Sequence, residues 1–172
     1  NEKKGIEMLW APWRLEYVKG ERPAGCPFCE SPKEEPSEEN LVLFKNDVFF
    51  VVMNKFPYNP GHLMVIPRRH VTLPTDLTAD EWSELSHGLR AVLDVLNSEP
   101  GPHGYNLGMN LGSVGGAGIP GHLHWHVLPR WAGDTNFMPL IAETKALPTH
   151  NVTVYRRLKP FFDTFASRLK KV

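Results

Sequence analysis

The stretch His122-Leu123-His124-Trp125-His126-Val127-Leu128-Pro129 constrains this chain more than any other. Histidine recurs at every second position, with Leu123, Trp125 and Val127 between or beside. Successive side chains of a β-strand point to opposite faces. An extended backbone therefore lines His122, His124 and His126 along one face and leaves the apolar residues for a core. A helix would scatter the same residues around its axis. Three imidazoles on one face can supply a nucleophile, a proton donor or a metal ligand near neutral pH. Taken alone, the pattern also fits a solvent-facing strand, or a metal site without catalysis.

Runs at 41–44 and 48–53, joined by the turn Lys45-Asn46-Asp47, read as two strands. Asn59-Pro60-Gly61 turns the chain into a third strand, 62–67. The main helix is expected over 78–97. Thr78 and Glu81 form a capping box, and Leu77 with Trp82 fits a hydrophobic staple. Trp82, Leu85, Leu89, Val92, Leu93 and Leu96 recur at helical spacing and read as a core stripe. Pro100-Gly101-Pro102 ends the element. Residues 105–111 make a fourth strand, paired with the histidine strand across the loop 112–121. Tyr155, Leu158, Phe162, Phe165 and Leu169 mark a terminal helix, started or kinked at Pro160. This order predicts one α+β domain over 1–172, with a mostly antiparallel five-stranded sheet. Residues 1–25, around Leu9-Trp10-Ala11-Pro12-Trp13-Arg14, read as a docking segment. Residues 30–40 read as a mobile acidic loop, and 150–172 as a C-terminal helical segment.

Lys and Arg number 19 and Asp and Glu 19, for a formal net charge of +0. No global field draws the chain to nucleic acid or to an anionic membrane, although local groups can still bind a nucleotide. No apolar run approaches the ~20 residues that span a bilayer. Asn1-Glu2-Lys3-Lys4 does not resemble a secretion signal, so a cytoplasmic location is expected. The two cysteines, Cys26 and Cys29, stand as Cys-Pro-Phe-Cys. A disulfide scaffold would use more of them. A redox CxxC should open a helix after a strand, whereas Gly25 precedes this one and an acidic, proline-containing stretch follows. Half of a zinc site fits better, given two further ligands.

Ahead of the histidines runs Gly112-Ser113-Val114-Gly115-Gly116-Ala117-Gly118-Ile119-Pro120-Gly121. Small residues let backbone N–H groups approach an anion closely, so a phosphate can sit beside His124 and His126. A ligand-free hairpin loop has the same composition; the adjacent histidines favour the phosphate.

At this point the chain resembles the histidine-triad (HIT) superfamily of nucleotide hydrolases and transferases. His122 to Pro129 is similar to its signature. Asn59-Pro60-Gly61-His62-Leu63-Met64-Val65-Ile66-Pro67-Arg68-Arg69-His70 matches its second recurrent segment. Leu9 to Arg14, Gly115 to Ile119, and Arg130-Trp131-Ala132-Gly133-Asp134-Thr135-Asn136-Phe137-Met138-Pro139 resemble the bacterial diadenosine tetraphosphate phosphorylases. Fragile-histidine-triad hydrolases carry a glutamine just before the triad, where this chain has Ala117-Gly118.

The resemblance implies a HIT-like fold and a homodimer in which the 78–97 helix and a sheet edge pack across a two-fold axis. It implies Asn54 and His62 in the nucleoside pocket, and Asn110 presenting its amide to phosphate beside Gly116, Ala117, Gly118 and Ile119. With the chemistry of imidazole, it makes His124 the nucleophile towards the α-phosphorus and His126 the group that binds a phosphate oxygen and helps the leaving group. It also implies that Cys26, Cys29, His70 and His122 hold a zinc. Four protein ligands leave no open position, so that zinc is structural. No organic cofactor is expected, and His87, His103 and His150 are assigned to the surface. The expected activity is phosphorolysis of dinucleoside polyphosphates, with inorganic phosphate as acceptor. The competing readings are a hydrolase of dinucleoside polyphosphates or nucleoside phosphoramidates, a non-catalytic nucleotide-sensing scaffold, and a hydrolase with the triad on a catalytic zinc.

Overall fold

A computed structural model describes residues 25–98, 101–134 and 149–170. The expected docking segment, apart from Gly25, and the stretch from Thr135 to Pro139 lie outside them. The Cys-Pro-Phe-Cys motif opens a single helical turn, α1 (Pro27–Glu30), with Pro27 at the first position, where a missing N–H leaves no bond unmade. Then follow β1 (Val42–Lys45), β2 (Phe49–Met53), β3 (Leu63–Pro67), α2 (Ala79–Asn97), β4 (Gly104–Gly108), β5 (Trp125–Arg130), α3 (Asn151–Asp163) and α4 (Phe165–Leu169). The strands make one sheet in the order β1-β2-β3-β5-β4, and every neighbouring pair is antiparallel. The α+β expectation and the hairpin between β4 and the histidine strand therefore stand. No helix among the described residues is long and apolar enough to cross a membrane.

Register assigns the faces of the sheet. Phe49 pairs with Pro67, Val51 with Val65 and Met53 with Leu63, and Leu63 and Val65 pair in turn with Val127 and Trp125. Directly paired residues share a face. This one receives the helices: Gly88 of α2 lies over the Phe49 ring, and Phe44 stacks between Phe49 and Phe165 of α4. The other face carries Phe50, Val52, Met64 and, paired with Met64, His126. Strands β2 and β3 are buried at all five positions, so their sequences are unbroken apolar runs rather than alternating ones.

Helix α2 begins as expected. Glu81 N–H donates to the Thr78 hydroxyl and Thr78 N–H to the Glu81 carboxylate. Its buried side is Leu85, Gly88, Ala91, Val92, Val95 and Leu96. Each fully buried Leu or Val there contributes about 1.5–3 kcal/mol. Trp82 departs from the expected core stripe. It is 40% exposed, at the rim, with its ring 6.1 Å from that of Trp125. The closest approach to β2 is instead at Gly88, where a Cβ would meet the Phe49 ring.

Boundaries also differ, with β4 ending at Gly108 rather than at 111. The histidine strand begins at Trp125 rather than His122, because the backbone before it is engaged elsewhere. Leu123 N–H donates to Val71, and the His122 carbonyl accepts from the His124 ring. The terminal helix does not start at Pro160 but nine residues earlier, at Asn151. It runs through that exposed residue and breaks at Thr164, which leaves helical geometry at φ −103°, ψ 9°. In the acidic stretch 30–40, Lys45 Nζ donates to the Glu34 carbonyl and Glu35, and Arg156 pairs with Glu38.

Candidate active site and metal centre

Elements far apart in sequence bring three histidines, His62, His126 and His124, into one row. His62 ends the Asn59-Pro60-Gly61 turn, where Gly61 takes a left-handed φ of +75°. It sits fully buried on the same face as Met64 and His126. Tyr58 N–H and Asn54 Nδ2 both donate to His62 Nδ1. That nitrogen is therefore the bare one, and the proton sits on Nε2. His62 Nε2–H donates to His126 Nδ1 at 2.9 Å. His126 must then carry its own proton on Nε2. The next ring, His124, lies 4.9 Å from His126 between centroids, nearly perpendicular. Its Nδ1–H donates to the His122 carbonyl at 2.8 Å, which leaves Nε2 with a lone pair. Backbone partners thus orient the tautomers of His62 and His124, and His62 in turn that of His126.

Burial keeps these rings neutral. It holds His62 at about 3 and, with the neighbouring His124, His126 at about 4, against an ordinary value of 6.5. Burial also lowers His124, though its hydrogen bond to the His122 carbonyl opposes the shift. A neutral His124 with a bare Nε2, beside a His126 that offers an N–H, is an arrangement for nucleophilic attack with a hydrogen-bond donor in place.

His122 leaves the row. Its Nε2–H donates to the Pro67 carbonyl, which turns Nδ1 towards Cys26 Sγ at 3.3 Å and Cys29 Sγ at 3.6 Å. His70 Nδ1 lies 3.2 Å from Cys29 Sγ, and the four donor atoms all fall within 4.8 Å of one another. A tetrahedral zinc with bonds of ~2.3 Å to sulfur and ~2.0–2.1 Å to nitrogen sets those donors about 3.5 Å apart, so the set fits a metal. The Pro67 carbonyl supplies the outer hydrogen bond that orients such a ligand. Burial and the adjacent Cys26 sulfur push the Cys29 thiol up, a cost that a divalent cation between the sulfurs reverses. The motif does open a helical turn, as a redox CxxC would. Yet its sulfurs meet imidazoles.

The glycine-rich loop folds back on itself. Gly116 N–H donates to Ser113 and Ala117 N–H to Gly112, so two of the amides expected at phosphate close the loop instead. Asn110 Nδ2 reaches the Gly116 carbonyl at 3.4 Å. Asn110 follows the last β4–β5 pair, Gly108–His126, by two residues, and His124 precedes that pair by two. Gly118 is exposed, and Ile119 is half-buried against the core. Asn54 lies beside His62, its Oδ1 taken by Phe56 N–H. Of the histidines assigned to the surface, His103 and His150 are exposed and His87 is half-buried.

Three contributors were not singled out from the sequence. Tyr58 stacks on His62 at 5.0 Å. Phe28, quoted only as part of the cysteine motif, packs on His124. Asn59, read as a turn residue, donates to the Pro129 carbonyl and to Asp134, which also takes a two-pronged pair from Arg130. That network ties the start of β3 to the end of β5 and braces both histidine-bearing strands. Both partners of the Arg130–Asp134 pair stood in the quoted 130–139 segment, spaced four apart.

The fold and the site together define a class of nucleotide-handling proteins built around a histidine row. The HIT domain family matches at residues 35–133, and the chain belongs to that family. An AP-4-A phosphorylase of Mycobacterium tuberculosis is 38% identical over 157 residues, which cover 86% of this chain and 80% of that protein. A bis(5'-nucleosyl)-tetraphosphatase (asymmetrical) of Schizosaccharomyces pombe is 32% identical over 93 residues, 54% of this chain and 50% of that one. Among solved structures, a zinc-bound histidine triad family protein from Mycobacterium smegmatis superposes with a TM-score of 0.64 at 20% identity, covering 83% of this chain and 96% of that chain.

Proposed function

We propose that the protein cleaves dinucleoside polyphosphates by phosphorolysis, through a nucleotidyl-histidine intermediate on His124. The observation that carries this is the His124 ring. Its Nδ1–H is tied to the His122 carbonyl and its Nε2 is bare, next to a His126 whose Nε2 holds a proton. His124 Nε2 attacks the α-phosphorus and forms an N–P bond as the P–O bond to the leaving nucleotide breaks. His126 Nε2–H donates to the departing phosphate oxygen. An oxygen of inorganic phosphate then attacks the same phosphorus, the N–P bond breaks, and a nucleoside diphosphate leaves. Asn110 and amides of the 112–121 loop hold non-bridging oxygens, and Asn54 and His62 line the nucleoside pocket.

The 38% identity to an AP-4-A phosphorylase, over most of both chains, supports the substrate class and the acceptor. Ala117-Gly118, in place of the glutamine of the fragile-histidine-triad hydrolases, leaves room beside the first phosphate for a second anion. Zinc is the metal that the Cys₂His₂ set favours, in a structural role. A cytoplasmic location suits two thiols held reduced, and a homodimer suits a sheet whose edge strand, β4, leaves Leu107 exposed.

The test is product analysis with diadenosine tetraphosphate. Phosphate-dependent formation of ADP plus ATP, abolished in His124→Ala with nucleotide binding retained, is the expected result. AMP plus ATP at a rate indifferent to phosphate makes the protein a hydrolase. Binding without turnover makes it a nucleotide-sensing scaffold.

A further inference from the structure

Coordination asks only that the two cysteines be three apart; it places no demand on the residues between them. One of those, Phe28, nevertheless does something specific. It is buried, 7% exposed, in the single turn of α1. Its ring centroid lies 5.1 Å from that of His124 at an interplanar angle of 58°, and 5.7 Å from that of His122 at 90°. Fixing Cys26 and Cys29 therefore fixes where the Phe28 ring points, and it points at the nucleophile.

The need for such a support follows from the torsions of histidine. The rotation of an imidazole about its bond to Cβ is broad and roughly two-fold. One hydrogen bond from Nδ1 to the His122 carbonyl leaves the plane of the ring free to rock, and a half-turn would exchange a ring nitrogen for a carbon at the carbonyl. A flat apolar neighbour against the ring removes that freedom. We propose that Phe28 is a positioning residue for His124: clamped between Cys26 and Cys29 and packed on the imidazole, it holds the ring with Nδ1 on the His122 carbonyl and Nε2 turned to substrate. The metal cluster then serves the active site through two of its own segments, the His122 carbonyl and the motif's phenylalanine. The kinetic part rests on the proposed role of His124; the geometric part does not.

The test uses Phe28→Leu and Phe28→Met, which keep an apolar side chain but lose the flat ring. In ¹⁵N-labelled, metal-loaded protein without nucleotide, at mildly alkaline pH, long-range ¹H–¹⁵N spectra report which ring nitrogens carry protons. The His124 signals are assigned by their loss in His124→Asn. Wild-type His124 should be a single tautomer with its proton on Nδ1. Both variants should keep their metal by elemental analysis and show mixed tautomers at His124, with His62 and His126 unchanged. Their kcat on diadenosine tetraphosphate should fall about 10- to 100-fold, with KM within about twofold. Unchanged His124 signals in a metal-loaded variant overturn the proposal, as does a kcat equal to wild type. A KM rise that accounts for the whole loss assigns Phe28 to substrate binding, and metal loss from both variants assigns it to the metal site; either overturns it too. If wild-type protein turns over no such substrate, the functional reading fails while the spectra still decide the role of Phe28.

Discussion

Replacing His62 with alanine should cost the enzyme most of its rate. His62 Nε2–H is the donor that keeps His126 Nδ1 bare, at 2.9 Å, and so keeps a proton on His126 Nε2 for the leaving group. Without it His126 can move its proton to Nδ1 and turn an acceptor towards the leaving oxygen. A buried hydrogen-bonding group left unmade costs about 1–3 kcal/mol. At ~1.4 kcal/mol per factor of ten in rate, kcat should fall roughly 5- to 150-fold. His62 is fully buried, and its loss also strips Tyr58 N–H of its acceptor, so the melting temperature should drop as well. His62→Gln, which keeps an N–H donor of similar reach, should recover part of the rate. Steady-state cleavage of diadenosine tetraphosphate with inorganic phosphate, read beside a thermal melt, separates the two losses. A folded His62→Ala protein with kcat within about twofold of wild type would refute the tautomer argument.

The same rings make stability depend on pH. His62 at about 3 and His126 at about 4 stay neutral in the fold while the unfolded chain binds their protons near 6.5. Stability should therefore fall as pH drops from about 6.5 towards 4, before the Arg69-paired Glu81, held at about 2, begins to lose its pair. A urea midpoint that stays flat between pH 6.5 and 4.5 contradicts this. Gly88→Ala gains about 1 kcal/mol of helix propensity but drives a Cβ to 2.7 Å from the ring of the fully buried Phe49, an overpacking worth about 1–3 kcal/mol. The melting temperature should fall by a few degrees, and a rise refutes the clash. Elemental analysis should find about one zinc per chain, and Cys29→Ser should lower thermal stability more than catalysis. Chelation should remove activity slowly, as the protein unfolds; an immediate loss would make the metal catalytic.

The sequence by itself determined what depends on local periodicity. Alternation around His126 predicts an extended strand, present from Trp125 onward, and the capping box Thr78/Glu81 marks the start of α2. Likeness to the HIT motifs also collected Cys26, Cys29, His70 and His122 into one set, and the structure brings all four within reach of a single ion. Other features were decided only by tertiary structure. Alternation makes the three histidines equivalent, yet the fold divides them: His122 joins two sulfurs more than ninety residues away, and His126 joins His62 at the start of the neighbouring β3. Trp82 satisfies the helical stripe but stays at the rim, while Gly88 is the position that meets the Phe49 ring of the strand beneath. Phe28 reads as a spacer until its ring is seen against His124. The reason is common to all three. A side chain's face follows from backbone period, but its partner, and so its tautomer and its chemistry, follows from which distant segment packs against that face.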